Sequence, residues 1–381
     1  MKLTVQIKLM PTPEQATVLR KTLETVNAAA NRLSKLAWDV NEFRRFPMQK
    51  TFYRQIRDEF PLSAQIVCLL NAKVANAYKL DWKVRRVFRK HGSIAYDARV
   101  LSLKLSPPIV SLWTLEGRKK MPFICGEKQM VLLTYPRGES DLVLRKSKWF
   151  LNITVEVPED REIEAIDCLG VDMGIVEIAY DSDGSNYSGA HLNKVRHRNL
   201  ALRRKLQRKG TKSAQRLLKK LGKRVSNFSR NLNHIISKRI VQTAKRTNRA
   251  IAIENLNGIR TRIRARKRER TRLNSWSFAQ LGGFLAYKAE MSGVPLIQVD
   301  PRNSSRQCNQ CGHTEKANRK SQSEFVCKSC GHAENADGNG AKNLRLRGLE
   351  FLRTGAFNRP NAEVITYGKI HERIHLQAPS L

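Results

Sequence analysis

Four cysteines in the C-terminal third, Cys308, Cys311, Cys327 and Cys330, follow the spacing C-x2-C-x15-C-x2-C. Two residues between thiolates let both sulfurs face one metal from a tight turn. A glycine follows each pair (Gly312, Gly331), where that turn needs a permissive backbone. Four thiolates close a tetrahedral Zn²⁺ site and leave no position for water, so the metal is structural. A ribbon this small needs it mainly to hold its fold. His313 and His332 follow the two pairs. With the metal already satisfied, they read as surface or phosphate-facing residues.

Acids are scarce, 33 Asp+Glu against 71 Lys+Arg, so their placement carries information. Asp172 follows an apolar run, Glu254 ends the run RAIAIE, and Asp337 opens a helix-like segment beyond the last cysteine pair. These carboxylates converge if the two runs are neighbouring strands, and converging carboxylates repel unless divalent cations sit between them. Two Mg²⁺ ions about 4 Å apart would activate water and stabilise the leaving oxygen of a phosphodiester. Mg²⁺ takes hard oxygen ligands, which suits carboxylates and not the nearby thiolates. Surrounding positive charge favours their ionised form. Each acid also has a plainer reading. Asp337 fits as a helix N-terminal acid, worth a few tenths to about 1 kcal/mol, and Asp172 as a stabiliser of the turn before Gly174. Glu254 lacks an evident structural partner. Asp300, which also ends an apolar strand, and Asp167 compete for the same role.

The elements that would carry these residues are legible in outline. Leu3, Val5, Ile7 and Leu9 put one apolar face on an opening strand. Thr12, Pro13 and Gln15 then spell a capping box and a first-position proline for a helix over 13–38. Further helices are expected over 48–58 and 62–89, the last ending in the basic patch KVRRVFRK. From about 95 to 165 the pattern is β. The turn RKSK leads into a strand in which Trp149, Leu151, Ile153, Val155 and Val157 alternate with Phe150, Asn152, Thr154 and Glu156, and Pro158 closes it. The opening strand is expected to join this sheet, with the helices inserted between. Residues 166–180 read as a buried strand with a hairpin partner, 249–259 and 294–300 as buried strands, and 276–293 as an amphipathic helix. The segment 260–272, RTRIRARKRERTR, is an Arg-rich loop, and the tail after about Arg353 is polar and irregular.

The formal charge of +38 calls for a polyanion, because self-repulsion works against a compact chain. Nucleic acid fits, since each neutralised phosphate also releases counterions. Residues 191–250 hold 20 Lys/Arg and no Asp or Glu on helical-looking sequence, a phosphate-tracking surface rather than a mixed-sign solvated face. The start MKLTVQIKLM lacks the apolar core of a signal peptide, and no run approaches the ~18 apolar residues of a membrane span. An odd seven cysteines, four in C-x-x-C pairs, fit metal ligation in a reducing compartment. A cytoplasmic or nucleoid location in a prokaryote is expected.

The stretches GVDMGI (170–175), IENL (253–256) and NADGNGAKN (335–343) after the cysteine pairs together resemble TnpB, the transposon-associated RNA-guided nucleases related to type V CRISPR effectors. The resemblance extends to KLMPTPEQ near the start, WFLNITVEV in the β region and LAYKAEMSG before the cysteines, in the family's order. It implies an α+β multidomain protein with a RuvC-type, RNase H-like nuclease domain over 166–302 and 334–353. A zinc ribbon over 303–333 is inserted in it, and a C-terminal tail over 354–381 follows. It further implies a barrel-like wedge domain (1–10 and 95–165) and a helical recognition domain (11–94). Asp172, Glu254 and Asp337 match the family's Mg²⁺-binding acids, which selects them over Asp300 and Asp167. One departure is Gly340, where the family usually shows alanine.

The expected function is RNA-guided, Mg²⁺-dependent DNA cleavage. The cofactors are two catalytic Mg²⁺ ions, one structural Zn²⁺ and a guide RNA transcribed from the transposon end. The partner is double-stranded DNA beside a short target-adjacent motif, bound by a monomer or homodimer with no membrane involved. Guide pairing supplies sequence specificity, while protein contacts read backbone shape. Arg302, Arg306, Arg203, Arg204, Lys219, Lys220, Arg262 and Arg264 are the expected nucleic-acid contacts. The rivals are a nuclease-silent RNA-guided repressor, a strand-transfer transposase and a ribosome-associated zinc-ribbon protein. The last explains the charge but not the acids.

Overall fold

The computed structural model describes residues 1–255 and 278–354 and the backbone of 363–364; the Arg-rich stretch 260–272 and the tail from 355 otherwise lie outside the described residues. The chain divides into two compact units, Met1–Pro158 and Glu159–Leu381.

The first unit opens with β1 (Lys2–Leu9), whose Val5, Ile7 and Leu9 are buried. Helix α1 (Pro13–Asp39) starts on the expected capping box. The Gln15 N–H donates to Thr12 Oγ1 at 3.3 Å, and the Thr12 N–H donates to Gln15 Oε1 at 3.1 Å. Helices α2 (Arg45–Glu59) and α3 (Ala64–Leu80) follow. Then come β2 (Ile94–Tyr96), β3 (Leu101–Lys104), β4 (Ile109–Thr114), β5 (Gly117–Ile124), the short α4 (Glu127–Leu132), β6 (Arg137–Arg145) and β7 (Lys148–Glu156). All seven strands form one antiparallel, near-closed barrel sheet in the order β2-β6-β7-β1-β5-β4-β3. The opening strand does therefore join the later β region, and α1–α3 are inserted between β1 and β2, which β6 and β7 separate in the sheet. In the β6–β7 turn Lys146 and Ser147 both take positive φ (48° and 60°), as a two-residue hairpin matched to strand twist requires.

The helix expected over 62–89 is shorter: α3 stops at Leu80 and the basic segment beyond it is not helical. Side chains of α1 and α3 take over the backbone groups a helix would have used. Asn31 grips Phe88 at both backbone groups, accepting its N–H at 2.7 Å and donating to its C=O at 2.9 Å. Ser34 Oγ donates to the Arg86 carbonyl at 2.6 Å, Asn27 Nδ2 to the Gly92 carbonyl at 2.8 Å, and Lys73 Nζ to the Ser93 carbonyl at 2.8 Å. These contacts span 20 to 65 residues of sequence, so local periodicity could not anticipate them.

The second unit is built on β8 (Asp167–Asp172), β9 (Glu177–Asp181), β10 (Asn186–Ser188), β11 (Arg249–Glu254) and β12 (Leu296–Val299), with β15 (Glu363–Val364) at one edge. The order is β10-β9-β8-β11-β12-β15. The contacts β8–β11 and β11–β12 are parallel, and the outer ones are antiparallel. Helices α5 (Ala190–Lys209) and α6 (Lys212–Arg246) carry the single-sign basic sequence, and α7 covers Phe278–Met291. Leu169, Val171, Ile251 and Ile253 pack against Ile236 and Ile240 of α6 and Leu285 of α7. Their alternates Cys168, Ala250 and Ala252 pack against Leu344 of α8 (Ala336–Thr354). Burial on both faces explains the unbroken apolar runs. The hairpin β13 (Glu324–Val326) and β14 (Ala333–Asn335) leads directly into α8. Among the described residues, no helix is long and apolar enough to cross a membrane.

Candidate active site and metal centre

Parallel pairing sets Val171 opposite Ile253, so Asp172 and Glu254 leave the C-terminal ends of adjacent strands side by side. That end of an open α/β sheet is where such folds bind ligands. The third acid arrives on α8. Asn335 Oδ1 accepts the N–H groups of Asp337 (2.9 Å) and Gly338 (3.1 Å), so Asn335 caps the helix and the Asp337 carboxylate is left for other partners.

Helix α8 lies unusually close to the sheet. A Cβ on Gly170 would stand 2.0 Å from the Ala341 carbonyl oxygen. One on Gly348 would stand 2.7 Å from Ala252 Cβ, and one on Gly340 would stand 3.0 Å from Asp172 Oδ2. Three glycines thus let the helix present Asp337 to the strand carrying Asp172.

Burial pushes the Asp172 carboxyl well above the usual carboxylate range, and the charges of Glu254 and Asp337 push it further; Arg319 opposes them. Burial also raises Glu254, against a hydrogen bond from Ser304 Oγ and the charges of Arg347 and Arg319. Asp337 is raised by burial and lowered by Arg319, whose Nη2 donates to Asp337 Oδ1 at 3.0 Å. Three carboxylates therefore share the guanidinium of Arg319, with Arg347 acting on Glu254 as well, an arrangement with more negative than positive charge.

Arg319 and Ser304 escape a reading of the sequence. Arg319 lies 18 residues before Asp337, and only the ribbon fold returns it; its one signal is being the sole arginine between the cysteine pairs. Glu254 does have a structural partner after all, the Ser304 hydroxyl, 50 residues away.

Of the two rival acids, Asp300 shares that end of the sheet, directly after Val299, the register partner of Glu254. Asp167, at the opposite end of β8, takes a two-pronged contact from Arg345 at 3.0 and 2.9 Å. Asp300 Oδ1 accepts the Arg302 N–H at 3.0 Å. Arg302, Arg306, Arg203, Arg204, Lys219 and Lys220 are all exposed, while Arg262 and Arg264 lie outside the described residues.

The four cysteine sulfurs form, among the described residues, the one set of three or more potential metal ligands whose ligand atoms all lie within 4.8 Å of one another. The Cys308–Cys330 and Cys311–Cys327 sulfurs are 3.8 and 3.6 Å apart. A tetrahedron with Zn–S bonds of about 2.3 Å has edges of about 3.8 Å, so the set fits such an ion. Gly312 and Gly331 take φ of 77° and 74°, as the knuckle turns demand. His313 and His332 are not ligands, and each faces a carboxylate: Glu315 at 3.2 Å and Glu334 at 2.9 Å.

The fold and these two clusters define a class: a multidomain α+β protein pairing a barrel sheet with a mixed sheet and a four-cysteine cluster beside the sheet's acidic end. Residues 278–344 match the family described as Cas12f1-like, TNB domain. The Cas12f1 CRISPR-associated endodeoxyribonuclease of Sulfoacidibacillus thermotolerans is 30% identical over 224 residues, which cover 54% of this chain and 52% of that protein. The TnpB-like protein MJ0751 of Methanocaldococcus jannaschii is 30% identical over 142 residues, covering 35% and 51%. A Cas12f1 structure solved with sgRNA and target DNA superposes with a TM-score of 0.64 at 16% identity, covering 88% of this chain and 83% of that one. The chain is thus similar to Cas12f and TnpB-like proteins in its C-terminal part and to a Cas12f1 structure in fold. It spans about half the length of the curated relatives it matches.

Proposed function

We propose that this chain is an RNA-guided, Mg²⁺-dependent DNA endonuclease. The observation that carries the proposal is the convergence of Asp172, Glu254 and Asp337 from β8, β11 and α8. The endodeoxyribonuclease activity named for the Cas12f1 relative, and the likeness in fold to a Cas12f1 solved with sgRNA and target DNA, support it.

In this reading the second unit is a RuvC-type, RNase H-like nuclease over 166–302 and 334–353, with the ribbon at 303–333. The mixed sheet, with acids at the ends of two parallel strands, supports it. The barrel sheet (1–10 and 95–165) is the wedge and the helices of 11–94 the recognition part, which grip the guide RNA and read the motif beside the DNA target. The tail over 354–381 is set apart. Zn²⁺ among the four cysteines is structural, and the protein works in the prokaryotic cytoplasm or nucleoid.

Three hard carboxylates with too little neighbouring positive charge fit divalent Mg²⁺. When bound, the ions supply an activated water and stabilise the leaving oxygen. The protein's own part is placement. Ser304 holds Glu254 through one oxygen, the Asn335 cap keeps the Asp337 carboxylate out of capping, and Arg319 offers a guanidinium beside the strand to be cut. Asp172→Ala should abolish cleavage of a guide-matched DNA in Mg²⁺ while RNA-guided binding persists in a gel-shift. Unchanged cleavage would remove Asp172 from the site.

A further inference from the structure

The segment after α3 is an exposed strap, and its composition is unusual for a surface. Leu80, Trp82, Val84 and Val87 are 78, 60, 59 and 72% exposed, within eight residues. Lys83 and Arg85 lie among them and Arg89 and Lys90 just beyond, also exposed. Exposed apolar side chains normally collapse inward or occur singly. Here they cannot collapse, because the strap is fixed from beneath. Asn27, Asn31 and Ser34, spaced i, i+4, i+7 on one face of α1, hold the backbone at Gly92, Phe88 and Arg86. Tyr78 Oη accepts the Arg86 N–H at 3.3 Å, and Lys73 Nζ lies 5.0 Å from the Phe88 ring centre.

The charges are sorted too. Arg86 is paired with Asp81 at 2.7 Å and Lys90 with Glu24 at 3.3 Å. Lys83 and Arg85, the cations between Trp82, Val84 and Val87, have no ion-pair partner among the described residues. A rigid rib of apolar side chains with unpaired cations between them is the chemistry of a surface on which unpaired bases stack while phosphates meet the cations. A duplex hides its base faces and would leave the rib uncovered. A second copy would set like charges against each other.

We propose that this strap, centred on Trp82 with Lys83 and Arg85, binds an unpaired stretch of the guide RNA. The proposal rests on reading the chain as RNA-guided. It selects RNA over target DNA because an exposed rib of this size needs a resident cover, and target DNA visits only in passing.

The test uses full-length protein freed of nucleic acid and fluorescence anisotropy with three probes of equal length: oligouridylate, oligothymidylate and an RNA hairpin duplex. Oligouridylate should bind tightest. Trp82→Ala should weaken it about tenfold and leave the hairpin unchanged. Arg85→Ala should weaken it less and flatten its salt dependence. Trp82 is exposed, so its loss leaves the core intact. Equal losses on all probes, no loss, or a preference for oligothymidylate would overturn the proposal. So would a dimer in sedimentation that Trp82→Ala dissolves. The readout is independent of cutting, and Asp172→Ala protein should bind oligouridylate as the parent does. If the parent binds through Trp82 yet cuts no guided DNA, the nuclease reading fails and the strap stands; if it cuts but ignores Trp82, the reverse holds.

Discussion

At the scale of single residues, the acidic centre is tuned by what is missing as much as by what is present. Asp172 meets burial and two like charges, opposed by the charge of Arg319 and a hydrogen bond from the Met173 backbone. Its carboxylate also faces a position with no side chain, since a Cβ on Gly340 would lie 3.0 Å from Oδ2 and 3.5 Å from Cγ. That contact is tight but meets the free end of a side chain, which can turn by a few tenths of an ångström. Gly340→Ala should therefore raise the unfolding free energy by about 0.5–1 kcal/mol, the usual gain from replacing a helical glycine. Guided cleavage should stay within a few-fold of the parent. Gly340→Leu has no such escape, because its added atoms enter the space of the carboxylate; it should abolish cleavage in a protein that still unfolds cooperatively. Chemical denaturation and a cleavage time course on the same preparations check both. A large loss with alanine would mean that Asp172 cannot turn.

At the scale of elements, the contact that matters is α8 against β8 and β11. At Gly170 the obstructing atoms are backbone, the Ala341 carbonyl oxygen at 2.0 Å and the Arg345 nitrogen at 2.6 Å. At Gly348 they are side-chain atoms, Ala252 Cβ at 2.7 Å and Cys168 Sγ at 2.8 Å. Backbone cannot step aside without moving the whole helix. Gly170→Ala should cost more than Gly348→Ala, which falls in the ~1–3 kcal/mol range of an overpacked core. Because it lifts Asp337 from Asp172, Gly170→Ala should also lose cleavage, whereas Gly348→Ala keeps part of it. Equal effects on stability and cleavage would show that α8 shifts freely over the sheet. The same contrast separates what the sequence discloses from what it hides. The alternation from Trp149 to Val155 and the Thr12–Gln15 box are local patterns with local causes, and the structure carries both. The end of α3 is hidden, since KVRRVFRK has helical spacing while the distant Asn31 and Ser34, together with Tyr78, claim its backbone. Asp172, Glu254 and Asp337 stand out as acids in a basic chain, but so do Asp167 and Asp300, and only the family resemblance selects among them. Arg319 does not stand out, being one cation among 71 Lys/Arg.

At the scale of the whole molecule, the governing quantity is the +38 formal charge. Two effects of salt oppose each other in the free chain. Screening weakens ion pairs such as Arg32–Glu59 at 2.7 Å and Arg249–Asp183, which favours unfolding. It also weakens the repulsion among the excess cations, which favours folding. Partly exposed pairs contribute about 0–1 kcal/mol each, while repulsion acts among all the unpaired cations within a Debye length, about 10 Å at 0.1 M and 3 Å at 1 M. Repulsion should win, so the melting temperature of the nucleic-acid-free chain should rise between 0.05 and 0.5 M NaCl. With RNA bound the sign reverses. The ligand already neutralises the excess, and it adds stability as RT ln(1 + [L]/Kd). Kd itself weakens with salt by a log–log slope of about 0.7 per phosphate contact for a single strand. The melting temperature of the complex should therefore fall over the same range and meet the rising curve of the free protein at high salt. Scanning calorimetry or dye-monitored melting at five salt concentrations, with and without a saturating structured RNA, measures both slopes. Parallel curves would mean that the RNA leaves the cationic surface exposed, and the charge would then need another partner.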